Sequence, residues 1–77
     1  MNYHYFENGQ QTPRGFVRIA NVISQVGQYS YAPEIIGEKA VEDCDGLSRK
    51  ITSSLEEAQR EIVRWASCKG FRLEQID

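Results

Sequence analysis

The chain has no long apolar run, little proline, few cysteines and no surplus of positive charge. Each shortage removes a class of function. No apolar stretch approaches the ~20 residues that a bilayer-crossing helix needs, so no membrane association is expected. Met1-Asn2-Tyr3-His4-Tyr5 lacks the basic and apolar regions of a signal peptide, and the expected location is cytoplasmic. The two cysteines, Cys44 and Cys68, stand in no metal-ligand spacing and read as reduced thiols rather than a disulfide. Nine basic against eleven acidic side chains leave a net charge of −2, which argues against a phosphate-driven nucleic-acid binder.

The catalytic and cofactor repertoire is equally thin. His4 is the one histidine and has no partner at triad or metal spacing, so it reads as a strand residue facing solvent or packed beside Phe6. The glycines form neither a Gly-x-Gly-x-x-Gly nor a Gly-Lys-Ser/Thr loop. The acidic run Glu38, Glu42, Asp43, Asp45 lacks the ordered oxygen ligands and closing Glu of a calcium loop, and reads as a solvated loop or a protein-contact patch. No cofactor, no metal and no enzymatic activity are expected.

What is present is a helix with legible ends. In Ile51-Thr52-Ser53-Ser54-Leu55-Glu56-Glu57-Ala58, Ser54 and Glu57 form a capping box, and Glu56 and Glu57 complement the helix dipole. Lys69 and Gly70 mark the stop, which predicts one helix over residues 55–69. At about 100° per residue, Leu55, Ala58, Ile62, Trp65 and Ala66 share one stripe and Glu57, Arg60, Glu61 and Arg64 oppose it. Trp65 is therefore expected in the core, and Cys68 on the polar side beside Arg64.

The first two thirds of the chain read as strands. Tyr3-His4-Tyr5-Phe6 is a short first strand, and Asn8-Gly9 is a type I′ turn signal followed by a segment broken by Pro13 and Gly15. Phe16 to Val26 is β-branched and alternating, with mixed parity near Ala20-Asn21 that points to a bulge. Gly27-Gln28 predicts a tight turn into a strand at Tyr29-Ser30-Tyr31-Ala32, and Pro33 places that strand at an edge or an end. The segment from Glu38 to Gly46 is open between loop and helical turn. Leu47 to Ile51 and Phe71-Arg72-Leu73 each read as a strand, and Ile76 extends the latter after a break. The expected fold is a single α+β domain over residues 1–77. It has two layers: an antiparallel sheet of roughly three to five strands, one amphipathic helix across it, and a short C-terminal strand.

Four tyrosines, Tyr3, Tyr5, Tyr29 and Tyr31, lie on neighbouring strands. They read either as core cover or as an exposed aromatic face suited to a protein interface. Beside Arg14 or Arg18, such a face also suits single-stranded bases.

The run from Ile51 to Ala58 resembles the β-to-α junction of HicB-class antitoxins. That resemblance implies a small three-stranded sheet followed by a helix, and neutralisation of a partner ribonuclease. It is confined to this junction, and no functional residue is carried across.

The expected function is that of a small protein-binding module of adaptor or inhibitor type, a kind common in phages and mobile elements. The candidate contact residues are Tyr3, Tyr5, Tyr29, Tyr31, Arg18, Glu42, Asp43 and Asp45. The alternatives are a nucleic-acid module using sheet aromatics with Arg14, Arg18, Arg49 and Lys50, and a self-associating subunit, including a homodimer.

Overall fold

The structure, a computed structural model, describes residues 2–23, 29–47 and 52–76, apart from the side chains of Val22, Ile23 and Tyr29. The elements run β1 (Asn2–Phe6), β2 (Gly15–Ile23), β3 (Tyr29–Ile36), α1 (Ala40–Asp43), α2 (Leu55–Lys69) and β4 (Arg72–Gln75). The strands form one antiparallel sheet in the order β3-β2-β1-β4, with α2 packed across one face. This is an α+β architecture with a short C-terminal strand.

Both ends of α2 are chemically defined. The Glu57 N–H donates to Ser54 Oγ at 3.2 Å. At the far end Gly70 takes a left-handed φ of 75°. The Phe71 N–H then reaches Ala66 O at 2.8 Å and the Gly70 N–H reaches Ser67 O at 3.3 Å, the two bonds of a Schellman motif. Ala58, Ile62, Trp65 and Ala66 are buried, with Leu55 partly so, which is the expected stripe.

Two local expectations change. Asn8-Gly9 does turn the chain, with the Gln10 N–H on Glu7 O at 3.1 Å, but only Gly9 has positive φ. The turn is therefore not type I′, and residues 7–14 form an irregular loop, in keeping with the breaks at Pro13 and Gly15. The β2–β3 register runs unbroken from Phe16↔Ile36 to Ile23↔Tyr29, so there is no bulge at Ala20-Asn21. The mixed parity arises because apolar residues stand on both faces of β2: Val17 and Ile19 toward α2, Phe16 and Ala20 away from it. Residues 38–46, left open by sequence, contain the single turn of α1.

Of the strand expected at Leu47 to Ile51, residues 48–51 lie outside the described residues, as does the expected turn at Gly27-Gln28. Leu47 is buried in the core and Thr52 makes an isolated bridge to Tyr31. That bridge is two backbone bonds, Tyr31 N to Thr52 O at 2.9 Å and Thr52 N to Tyr31 O at 2.8 Å. The outward-facing backbone at Tyr31 puts Pro33, two residues on, in the same orientation. Its missing N–H therefore falls on the sheet edge, where nothing is lost from the ladder.

Candidate binding site

The alternation of the strands divides the candidate residues between two faces. Toward α2 stand Tyr3, Tyr5, Val17, Ile19, Tyr31, Ile35 and Leu73, all in or against the core. Away from it stand His4, Phe6, Phe16, Arg18, Ala20, Glu34, Ile36 and Arg72, by the register of the pairs.

The tyrosines therefore do not make an exposed aromatic face. Tyr5 is fully buried and Tyr3 and Tyr31 are half-buried against the core, because they share the parity of Val17 and Ile19 beneath α2. The side chain of Tyr29 lies outside the described residues. Asp43 also leaves the acidic surface, being 4% exposed, whereas Glu42 and Asp45 are exposed. Arg18 is exposed on the outer face and its Nε bonds Glu34 Oε2 at 2.8 Å. Arg49 and Lys50 lie outside the described residues.

Asp43 is the centre of a cluster that the sequence did not announce. Its Oδ2 accepts from the Tyr5 hydroxyl at 2.6 Å and from Arg14 Nε at 2.7 Å, and its Oδ1 accepts from Arg14 Nη2 at 2.8 Å. Arg14 also pairs with Glu7, and sits 5.6 Å over the Phe71 ring. The Trp65 indole N–H donates to the Asp43 carbonyl at 2.7 Å. Tyr5, Trp65 and Phe71 pack ring on ring at 5.0 to 5.5 Å.

The local chain explains how these groups meet. Gly15 lies opposite Tyr5, and a Cβ there would come within 2.6 Å of the Tyr5 ring, so only glycine leaves room for it. Burial works against the charged form of Asp43, but the hydrogen bonds from Arg14 and Tyr5 outweigh it and hold the carboxyl below the usual aspartate range. Burial, with the bond to Asp43, pushes the Tyr5 phenol above its usual value. The Arg14 guanidinium is raised by its bonds to Asp43 and then Glu7. Among the described residues no buried side-chain nitrogen or oxygen lacks a hydrogen-bond partner. The cluster fastens α1 to β1, the 7–14 loop and α2. Sequence separations of 38 for Tyr5–Asp43 and 29 for Arg14–Asp43 explain why no local motif betrayed it.

The outer face has a different chemistry. His4, Phe16 and Ile36 form one row across three strands. His4 meets Phe6 and Phe16 edge-on at 6.3 and 6.2 Å, and Ile36 is 39% exposed. Charge pairs flank the row, Arg18 with Glu34 on one side and Arg72 with Glu74 (3.1 Å) on the other. Arg72 also lies 4.3 Å over the ring of Phe6, which is buried on this face. Beside β3 a shallow groove lies against α1, lined by Ala20, Ala32, Pro33, Ile35, Ala40, Val41, Cys44 and Leu47, with Val41 87% exposed. The exposed carboxylates of Glu42 and Asp45 border α1. The signal for this face was in the sequence, as the apolar residues of the second parity in Phe16 to Val26.

Among the described residues no three metal-ligating side chains converge, and no helix is long and apolar enough to cross a membrane. Comparison with known proteins found no matching family model, no matching curated protein and no matching solved structure.

Proposed function

We propose that this chain is a small protein-binding module of adaptor or inhibitor type, and that its contact surface is the outer face of the sheet with the groove between β3 and α1. The observation that carries the reading is the row His4–Phe16–Ile36. It lays apolar and aromatic area across three strands on the face that α2 leaves open, where burial of such area is a main source of binding energy. The flanking charges are already paired, Arg18 with Glu34 and Arg72 with Glu74, so they serve as a polar rim. Asp45, exposed two residues beyond α1, favours a partner with a basic residue beside its apolar contact, whereas Glu42 already pairs with Arg14 at 3.5 Å. The same pairing leaves Arg18 and Arg72 poorly placed to neutralise phosphates. A cytoplasmic setting suits the free thiols of Cys44 and Cys68.

The test is photo-crosslinking in the native host from a probe at position 16, with capture repeated on a Phe16→Ser, Ile36→Ser double variant. The expected result is one protein crosslinked from position 16 and lost from the double variant, which keeps the wild-type melting profile. Retention of that protein by the folded double variant overturns the reading. So does crosslinking to nucleic acid with a steep salt dependence, which would mean that phosphate contacts carry the binding.

A further inference from the structure

The sheet has two edges, and only one of them is guarded among the described residues. At β3, Thr52 exchanges two backbone bonds with Tyr31, Pro33 offers no N–H, and α1 packs alongside. The far edge is β4, which has β1 as its neighbour on one side only. The Ile76 N–H donates to Asn2 O at 3.0 Å, directly opposite in the β1–β4 register. Hydrogen-bonded pairs recur at every second residue of an antiparallel ladder. Arg72 and Glu74 thus turn their backbone groups toward β1, and Leu73 turns its N–H and C=O outward.

Charge is a usual guard of a short edge strand. Here the two charges have opposite sign, two residues apart on the same face: Arg72 Nη1 lies 3.1 Å from Glu74 Oε2, and both side chains are more than half exposed. A two-fold axis perpendicular to the sheet keeps each face on its own side, so only residues of like parity oppose one another. Centred on Leu73, it sets Arg72 opposite Glu74 of a second copy and Glu74 opposite Arg72. Leu73 then faces its own counterpart in a hydrogen-bonded pair, each N–H donating to the other's C=O. The two half-buried leucine side chains meet on the side of α2. Centred instead on Glu74, the axis sets like charges face to face. Of these two registers the charge pattern favours the one centred on Leu73, which alone pairs both charges with their opposites.

We propose that the outer edge of β4 binds β4 of a second copy of this chain, antiparallel about Leu73, joining the two sheets into one. The row His4–Phe16–Ile36 and the groove at β3 lie off the β4 edge and stay open in that dimer; only the Arg72–Glu74 rim is shared, and the Phe16 and Ile36 variants leave it intact, so the two proposals fail separately.

Sedimentation equilibrium from micromolar to millimolar protein tests this. The wild type is expected to rise from the 8.8 kDa monomer toward twice that mass. Glu74→Arg sets Arg opposite Arg at both symmetry-related positions, and Arg72→Glu sets Glu opposite Glu. Each is expected to weaken dimerisation about ten-fold or more. The double reversal, R72E with E74R, restores it. A mass that stays monomeric to millimolar protein overturns the proposal, as does a dimer indifferent to both single reversals. Where a reversal fails to fold, hydrogen exchange at the wild-type Leu73 amide decides. Protection that grows with concentration supports the edge pairing, and exchange independent of concentration overturns it.

Discussion

Turned inward, the sheet meets α2 through Tyr5, Val17 and Ile19 against Ala58, Ile62 and Trp65, all buried. Turned outward, the same strands present His4, Phe16 and Ile36, and no described element lies across them. Both faces are apolar, yet on the inner one no buried side-chain nitrogen or oxygen among the described residues lacks a partner, and the outer one keeps its charges in exposed surface pairs. The difference teaches that apolar content alone does not identify a core. What identifies it here is the polar accounting: a buried carboxylate with Arg14 and Tyr5, and an indole N–H with a carbonyl. The outer face carries no such accounting, and that is the difference on which the proposed contact surface rests.

The sharpest way to break the inner face is Trp65→Ala. It deletes the largest buried side chain and leaves the Asp43 carbonyl without its donor. The expected cost is about 3–5 kcal/mol, a large share of a small domain's stability, read from the urea midpoint or from outright unfolding. Asp43→Ala should follow at about 1–3 kcal/mol, because it leaves the buried Tyr5 hydroxyl without its acceptor, while Arg14 keeps Glu7 and Glu42. The pH dependence has a defined sign. The folded Asp43 carboxyl binds its proton less readily than the unfolded one, so its contribution is complete above about pH 4 and is lost as pH falls through the folded value. Acid titration of wild type beside Asp43→Asn should show a steeper loss in the wild type, and equal slopes would remove Asp43 from the account.

Gly15→Ala probes how tightly the inner face is fitted. The new Cβ meets the Tyr5 ring at 2.6 Å, and the ring is held by Trp65, Phe71 and Asp43. Overpacking of this kind costs about 1–3 kcal/mol. Ser54→Ala removes the bond to the Glu57 N–H and should cost about 0.5–2 kcal/mol, lowering the urea midpoint without changing the slope.

These sites differ in how far they could be read from sequence. Ser54, Gly70 and the stripe through Trp65 were legible because a helix writes its ends and its inner face within a few residues. The edge position of β3 was legible from Pro33. The role of Gly15 was not, since it depends on Tyr5 lying opposite across a loop of irregular length. Asp43 was read as part of a solvated acidic run because its partners come from β1 and from the 7–14 loop. The tyrosines stay open between core cover and an exposed face in the sequence, because aromatic residues suit both an interface and a core. Only the shared parity of Tyr3, Tyr5, Val17 and Ile19 in the folded sheet decides between the two.

The smallest effect gives the finest comparison. Ile35 and Ile36 are neighbours in β3, identical in chemistry and opposite in direction. Ile35 packs against the core and stands across from Val17, whereas Ile36 is 39% exposed across from Phe16. Ile35→Ala should cost about 2 kcal/mol or more, as truncation of a core-facing isoleucine does. Ile36→Ser should fall within about 0.5 kcal/mol of wild type in urea melts, as surface substitutions do. It removes apolar area that contacts water in the free protein, so little burial is forfeited on folding. The same change should then appear in partner capture and not in stability. A cost at Ile36 equal to that at Ile35 would mean that the outer row is structural cover, and the two faces would no longer differ in kind.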